Sequence, residues 1–199
     1  MNIIKKVIDV ILNPAVILAF SACMLVVGRW IFGKTYINCL DIIRNHVLCF
    51  KMDNGRISKM SIFLYFGIPL LLSIALVRIK GVDEDTINII TIIVSILTSM
   101  FFTLLTLILD MRSKIEHNPN YTDTEAMVSK KVLEETYYSI MFEILVSVAL
   151  LILCFLDIFS SKFSLIESLL MYYMMFILLT NLFMILKRIF KVINNDLNH

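Results

Sequence analysis

The chain has little charge, little glycine or proline, and almost no tryptophan. Of its 199 residues 17% are charged, five are glycine, three are proline and one is tryptophan. A soluble domain carries about 25% charged residues and about 45–50% apolar ones. Here 59% are hydrophobic, more than a single water-facing domain of this size can bury. Secreted and cytosolic enzymes are excluded on that ground. The scarcity of glycine and proline excludes disorder and low complexity, and fits a few long helices with short connections. Four cysteines, Cys23, Cys39, Cys49 and Cys154, show no paired CxxC spacing and imply no disulfide framework. The 18 basic and 16 acidic residues leave a net charge of +2, which makes no field to recruit nucleic acid. No direct nucleic-acid binding is expected.

What the chain does have is long uncharged runs. A hydrocarbon core of about 30 Å takes about 20 helical residues. Val10 to Gly28, Ser61 to Val77, Thr86 to Leu109 and Ser168 to Leu186 carry no charge, and Thr136 to Leu156 carries only Glu143. The first run follows Lys5 and Lys6 as a signal peptide would, but it ends at Gly28-Arg29-Trp30 without a small-residue cleavage site and stays in the mature chain. If the last four runs cross, 15 Lys and Arg fall on one side and 3 on the other; five crossings give 13 against 5 and put Lys5 and Lys6 outside. The positive-inside bias selects four spans, with both termini and the 110–135 loop in the cytoplasm. The outer connections are then short, one of them acidic at Asp83-Glu84-Asp85.

The expected fold is all-α: a polytopic membrane helical bundle of four transmembrane helices plus an N-terminal interfacial or re-entrant helix. Asn13 as N-cap and Pro14 at the first helical position start that extra helix, and Trp30 anchors it at headgroup level. A fifth crossing is the alternative. Residues 1–60 form the N-terminal helix and a small cytoplasmic region, in which Asp53-Asn54-Gly55 favours a tight turn. The surroundings of that turn fit a small hairpin or short helices. Residues 61–199 form the transmembrane domain. Within it, residues 110–135 read as a cytoplasmic helical hairpin that breaks at His117-Asn118-Pro119-Asn120 and restarts at a capping box, Thr122 to Glu125.

Glu143 is the sharpest residue, because a carboxylate inside a span costs at least about 2.5 kcal/mol. Thr136, Ser139, Glu143 and Ser147 recur at spacings of three and four and share one helix face. Asn181 on the last span and Thr103 and Thr106 above Asp110 come to similar depth, so one intramembrane polar layer is expected. It reads either as an ion or proton pathway or as a hydrogen-bonded packing knot with Glu143 neutral. The stripe Asn88, Thr91, Ser95, Ser99, Thr103 and Thr106 has the same two readings. The hairpin carries both signs of charge, and Arg112, Lys114, Glu116, Glu125, Lys130 and Lys131 are its candidate partner-binding residues; a merely solvated face is the rival. Lys187, Arg188 and Lys191 close the last span and suit anionic headgroups.

No catalytic residue is expected. Nothing resembles HExxH, GxSxG, a P-loop or a dinucleotide fingerprint, and His117 and His199 sit in a turn and at the terminus. Cys39, His46 and Cys49 offer three soft ligands with no fourth, whereas structural zinc takes four, so neither metal nor cofactor is expected.

The Asn13-Pro14 helix, the four spans with both termini inside, the boundary Leu107 to Arg112, the stretch Leu133-Glu-Glu-Thr-Tyr-Tyr-Ser139 and the ending Met184 to Phe190 together resemble the membrane subunit of the Kiwa anti-phage defence system. The resemblance covers most of the chain. It implies a bacterial inner-membrane homo-oligomer, a tetramer, that senses phage attack and recruits a soluble, cytoplasmic DNA-binding partner of the KwaB type. It supplies no catalytic motif. Two functions are therefore expected in turn: a membrane sensor and scaffold, or an ion channel or depolarising pore lined by the hydroxyl stripe and Glu143.

Overall fold

A computed structural model describes residues 16–17, 20, 23–24, 27, 39–51, 58–117, 123–157 and 164–197. The chain divides into two compact units, Met1–Cys39 and Leu40–His199. In the first, the described positions Val16, Ile17, Phe20, Cys23, Met24 and Val27 are helical and exposed. The Asn13-Pro14 cap, Trp30, the Asp53-Asn54-Gly55 turn, the break after His117 and the Thr122 cap lie outside the described residues, as does the question of a fifth crossing.

The second unit is all-helical. In chain order it contains α1 (Leu40–Leu48), α2 (Lys59–Ile79), α3 (Glu84–His117), α4 (Asp123–Asp157) and α5 (Leu165–Leu197). The last four are long and apolar enough to cross a membrane, where only internally hydrogen-bonded backbone is tolerated. The expected four-span bundle is what the chain adopts.

Three of the helices start at a local cap. Ser58 caps α2 by accepting from the Ser61 N–H at 3.2 Å. Asp83 caps α3 by accepting from the Thr86 N–H at 2.9 Å and from the Thr86 hydroxyl. At α5 the capping is reciprocal: the Ser164 N–H donates to Glu167 Oε2 at 2.7 Å and the Glu167 N–H to Ser164 Oγ at 3.2 Å, which satisfies two otherwise orphaned donors. Within α2, Pro69 has no N–H to donate one turn back, and the helix widens to a π turn at Phe63–Gly67 immediately before it.

Packing follows heptads. On α4 a buried seam runs through Leu133, Thr136, Ile140, Glu143, Ser147, Leu150, Cys154 and Asp157 in alternating steps of three and four, with Ser139, Phe142 and Val146 buried beside it. On α3, Ile87, Ile90, Val94, Phe101 and Ile108 hold the same register, as do Met171, Leu178, Asn181 and Ile185 on α5. This 3.5-residue period keeps a seam facing its neighbour over many turns. α4 lies between α3 and α5, α2 packs on α5, and α1 lies on α4. Half of the α4 span is buried but only 11% of the α2 span, so α2 offers most of its apolar surface to whatever surrounds the bundle. At one end of the bundle the Val82 N–H donates to Ser168 Oγ at 3.2 Å, tying the starts of α3 and α5 together.

At the opposite end, one ring fixes α1. His46 is fully buried, stacked on Phe142 of α4 with centroids 4.1 Å apart and planes 2° from parallel. Phe50 and Phe66 meet it edge-on at 5.3 and 6.3 Å. Neither ring nitrogen has a hydrogen-bond partner among the described residues. Burial, with the Arg188 guanidinium nearby, lowers the His46 pKa from 6.5 to about 3. The ring is therefore neutral while docked, whereas an undocked α1 takes up a proton below about pH 6.5. Docking thus weakens as pH falls from 6.5 towards 3, by about 2 kcal/mol at pH 5. His46→Phe keeps the ring contacts and removes both unpaired nitrogens. Its melting temperature in detergent should equal or exceed that of the wild type at pH 7.5 and fall less at pH 5; curves that fall in parallel would exclude His46 as the cause.

Candidate functional site

The heptad seam that brings α4 against α5 carries a carboxyl and an amide to the same level. Asn181 Nδ2 donates to Glu143 Oε1 at 2.6 Å, and both side chains are fully buried. Ser147, one turn along α4, is also fully buried. Glu143 Oε2, Ser147 Oγ and Asn181 Oδ1 have no further hydrogen-bond partner among the described residues. A neutral carboxyl can both donate and accept, which suits a group buried between two helices with a single amide as its partner. A charge there would be uncompensated.

Nearer the end of the span lies a second polar cluster, around Arg188. Its Nη1 donates to the Glu135 carbonyl at 2.9 Å and to Ser139 Oγ at 3.0 Å. Its Nη2 lies 3.5 Å from Glu135 Oε2 and 3.5 Å from the Cys49 carbonyl oxygen. One planar cation therefore joins α5, α4 and the turn that follows α1, a use for which a multi-donor guanidinium is suited and an ammonium is not. Cys49 Sγ donates to the carbonyls of Asn45 at 3.2 Å and Glu135 at 3.6 Å, and burial holds its thiol above the usual range despite the neighbouring guanidinium. From Glu135 to Glu143 and from Arg188 to Asn181 the helices rise about 12 and 10 Å, so the two clusters are stacked levels of one seam.

The structure brings together Glu143 and Asn181 of the expected polar layer, with Ser147 buried one turn along α4. Ser139 belongs to the Arg188 cluster, its hydroxyl also donating to the Glu135 carbonyl at 2.8 Å. Thr103 and Thr106 are not part of the layer. Both are exposed on α3, and their hydroxyls donate to the carbonyls of Ser99 at 3.1 Å and Thr103 at 2.8 Å. Depth placed them with Glu143, but the α3 heptad turns Phe101 and Ile108 inward and these two outward. Most of the hydroxyl stripe shares that outer face: Asn88, Ser95 and Ser99 are exposed and Thr91 is half-buried.

The candidate docking residues Arg112, Lys114, Lys130 and Lys131 are exposed, with Lys114 2.7 Å from Asp110 one turn away. Glu116 and Glu125 lie on α3 and α4, and their side chains are outside the described residues. No group of three or more His, Cys, Asp or Glu side chains converges among the described residues. His46 is enclosed by aromatic rings and Cys49 is hydrogen-bonded to carbonyls. Arg188 as a three-way junction was missed from the sequence. The signal was present: Glu135 and Arg188 lie eight and seven residues from Glu143 and Asn181, the same level on two antiparallel helices.

Comparison of the chain with protein-family models, with curated proteins and with solved structures gives no match.

Replacing Glu143 by Gln keeps an acceptor for Asn181 without a charge and should leave unfolding in mild detergent unchanged. Glu143→Leu leaves the Asn181 amide buried and unpaired, at a cost of about 1–3 kcal/mol. Adding Asn181→Leu should recover most of that loss. The resulting cycle should report a coupling of about 0.6–1.7 kcal/mol, the range for interhelical polar bonds, and strictly additive effects would show that the pair does not hold α4 to α5.

Proposed function

We propose that the protein is a sensor and scaffold subunit of a bacterial anti-phage complex in the inner membrane, which oligomerises in the bilayer and recruits a soluble cytoplasmic effector. It performs no chemistry of its own. The observation that carries this reading is the length of α3 and α4. Both run unbroken past the bundle, α3 to His117 and α4 from Asp123, so α4 extends about 18 Å beyond the level of Glu135. Antiparallel helices in a bundle are joined by as few as two residues, and a polar projection of this length is not needed to connect two spans. It carries both signs of charge at Arg112, Lys114, Glu116, Glu125, Lys130 and Lys131, as a complementary partner surface requires. The α2 span leaves most of its apolar surface exposed, as copies packing side by side in a membrane require.

A pore is the second reading, and one observation favours it. The exposed hydroxyls of Ser95, Ser99, Thr103 and Thr106 follow a single outer face of α3 and would line the axis of a symmetric oligomer. Glu143 is enclosed within the chain and would not reach that axis.

The test is affinity purification of the tagged protein from cells that also express its neighbouring genes. A soluble protein should be recovered in fixed ratio with an oligomer of the wild type. The triple variant Glu125→Lys, Lys130→Glu, Lys131→Glu should insert normally and lose that protein by at least about tenfold, since like charges facing each other across an interface are strongly unfavourable. Unchanged recovery removes the hairpin from the account. An oligomer without a partner that passes ions in liposomes, with conductance altered by Thr103→Val, makes the pore the better reading.

A further inference from the structure

A cavity of about 680 Å³ opens at the end of the bundle where α2 begins and α5 ends. Its walls are the turn after α1, the first two turns of α2 and the last turns of α5. Lys51, Lys187, Arg188 and Lys191 line it, and among the described residues no Asp or Glu does. Arg188 is occupied by Glu135 and by carbonyls. The three lysines are exposed, and among the described residues none is paired with a carboxylate. Lys187 and Lys191 stand one turn apart on α5, where like charges repel. Cations near a helix C-terminus are favourable in themselves, which accounts for part of Lys191. It does not account for Lys51, which comes from a different segment of the chain to the same cavity.

We propose that this cavity binds a phosphate-bearing anion, the headgroup of an anionic phospholipid. Lysine ammonium groups bind phosphate as point charges, and basic recesses between spans are where such headgroups bind. Three features favour a lipid over a free phosphate. The cavity lies at the level where spans start and end. Apolar and aromatic side chains, Tyr65, Met184 and Phe190, line it beside Ser58, Ser61 and Asn194. Phe190 is 70% exposed and Phe63, on the same helix as Tyr65, is 54% exposed, so an apolar surface leads from the cations onto the outside of the bundle, where acyl chains would lie. This site is independent of the hairpin and of any effector.

The experiment is native mass spectrometry of the full-length protein in mild detergent with added phosphatidylglycerol or phosphatidylcholine, repeated with millimolar inorganic phosphate. Wild type should retain phosphatidylglycerol and not phosphatidylcholine. The variant Lys51→Gln, Lys187→Gln, Lys191→Gln should bind it on the order of 100-fold more weakly. Arg44→Gln, Arg78→Gln, which removes charge elsewhere, should bind it as wild type does. All three positions are exposed, and an unchanged melting temperature confirms that the variant is folded. Displacement of the lipid by millimolar phosphate would identify the free anion as the occupant and preserve the site. Equal retention of both lipids by wild type, or of phosphatidylglycerol by wild type and the lysine variant, overturns the proposal.

Discussion

A carboxyl group enclosed halfway along a heptad seam, with hydrocarbon outside the bundle, is the constraint on which the arrangement of α4 and α5 rests. Apolar side chains alone do not fix the register of two helices in a membrane, because lipid competes for them on equal terms. Glu143 breaks that degeneracy. It must face a polar group at its own level, and Asn181 is that group at 2.6 Å. Sliding either helix by one heptad would break the pair, setting Glu143 against Met174 in one direction or Asn181 against Leu150 in the other. Once α4 and α5 are in register, Glu135, Ser139 and Arg188 meet at the next polar level, and α1 is drawn in through the Cys49 carbonyl and the His46 ring.

Nearly everything chemically distinctive therefore gathers at one end of the bundle. The Arg188 junction, the aromatic enclosure of His46, the basic cavity and the projecting α3–α4 hairpin all lie there. The other end has short connections held by local caps and by the Lys80–Asp83 pair at 2.8 Å, in which the lysine, with Thr86, keeps the Asp83 carboxylate well below its ordinary range. A scaffold reading uses this asymmetry. Headgroups, hairpin and effector would meet on one surface, and a change in how copies pack through α2 and α3 would be felt at the Arg188 level one helical turn from the docking hairpin.

The fold was legible because the spans are bounded by charge, and charge in a membrane protein marks the ends of helices. The inward faces were harder to read. In a bilayer the outer surface is as apolar as the core, so hydropathy has no contrast around the helix axis, and only polar residues reveal which face is buried. Thr136, Glu143 and Ser147 did so for α4. On α3 the same logic failed, because serine and threonine satisfy their hydroxyls on their own helix, as Ser95 does on the Thr91 carbonyl at 2.7 Å, and can face outward without cost. The α3 register is carried instead by Ile87, Val94, Phe101 and Ile108, seven residues apart and indistinguishable by type from their exposed neighbours. The burial of His46 is not legible in the sequence, because it depends on Phe142, remote along the chain.

The scaffold account requires that the end bearing the hairpin, the cavity and the C-terminus face the cytoplasm. Topology mapping with paired reporters tests this directly: a fluorescent protein that matures only in the cytoplasm, fused after His199, and alkaline phosphatase, active only outside it, inserted at Gly81. Fluorescence from the first and phosphatase activity from the second are the expected pair. The reverse pattern would place the hairpin and the basic cavity outside the cell and would contradict recruitment of a cytoplasmic effector.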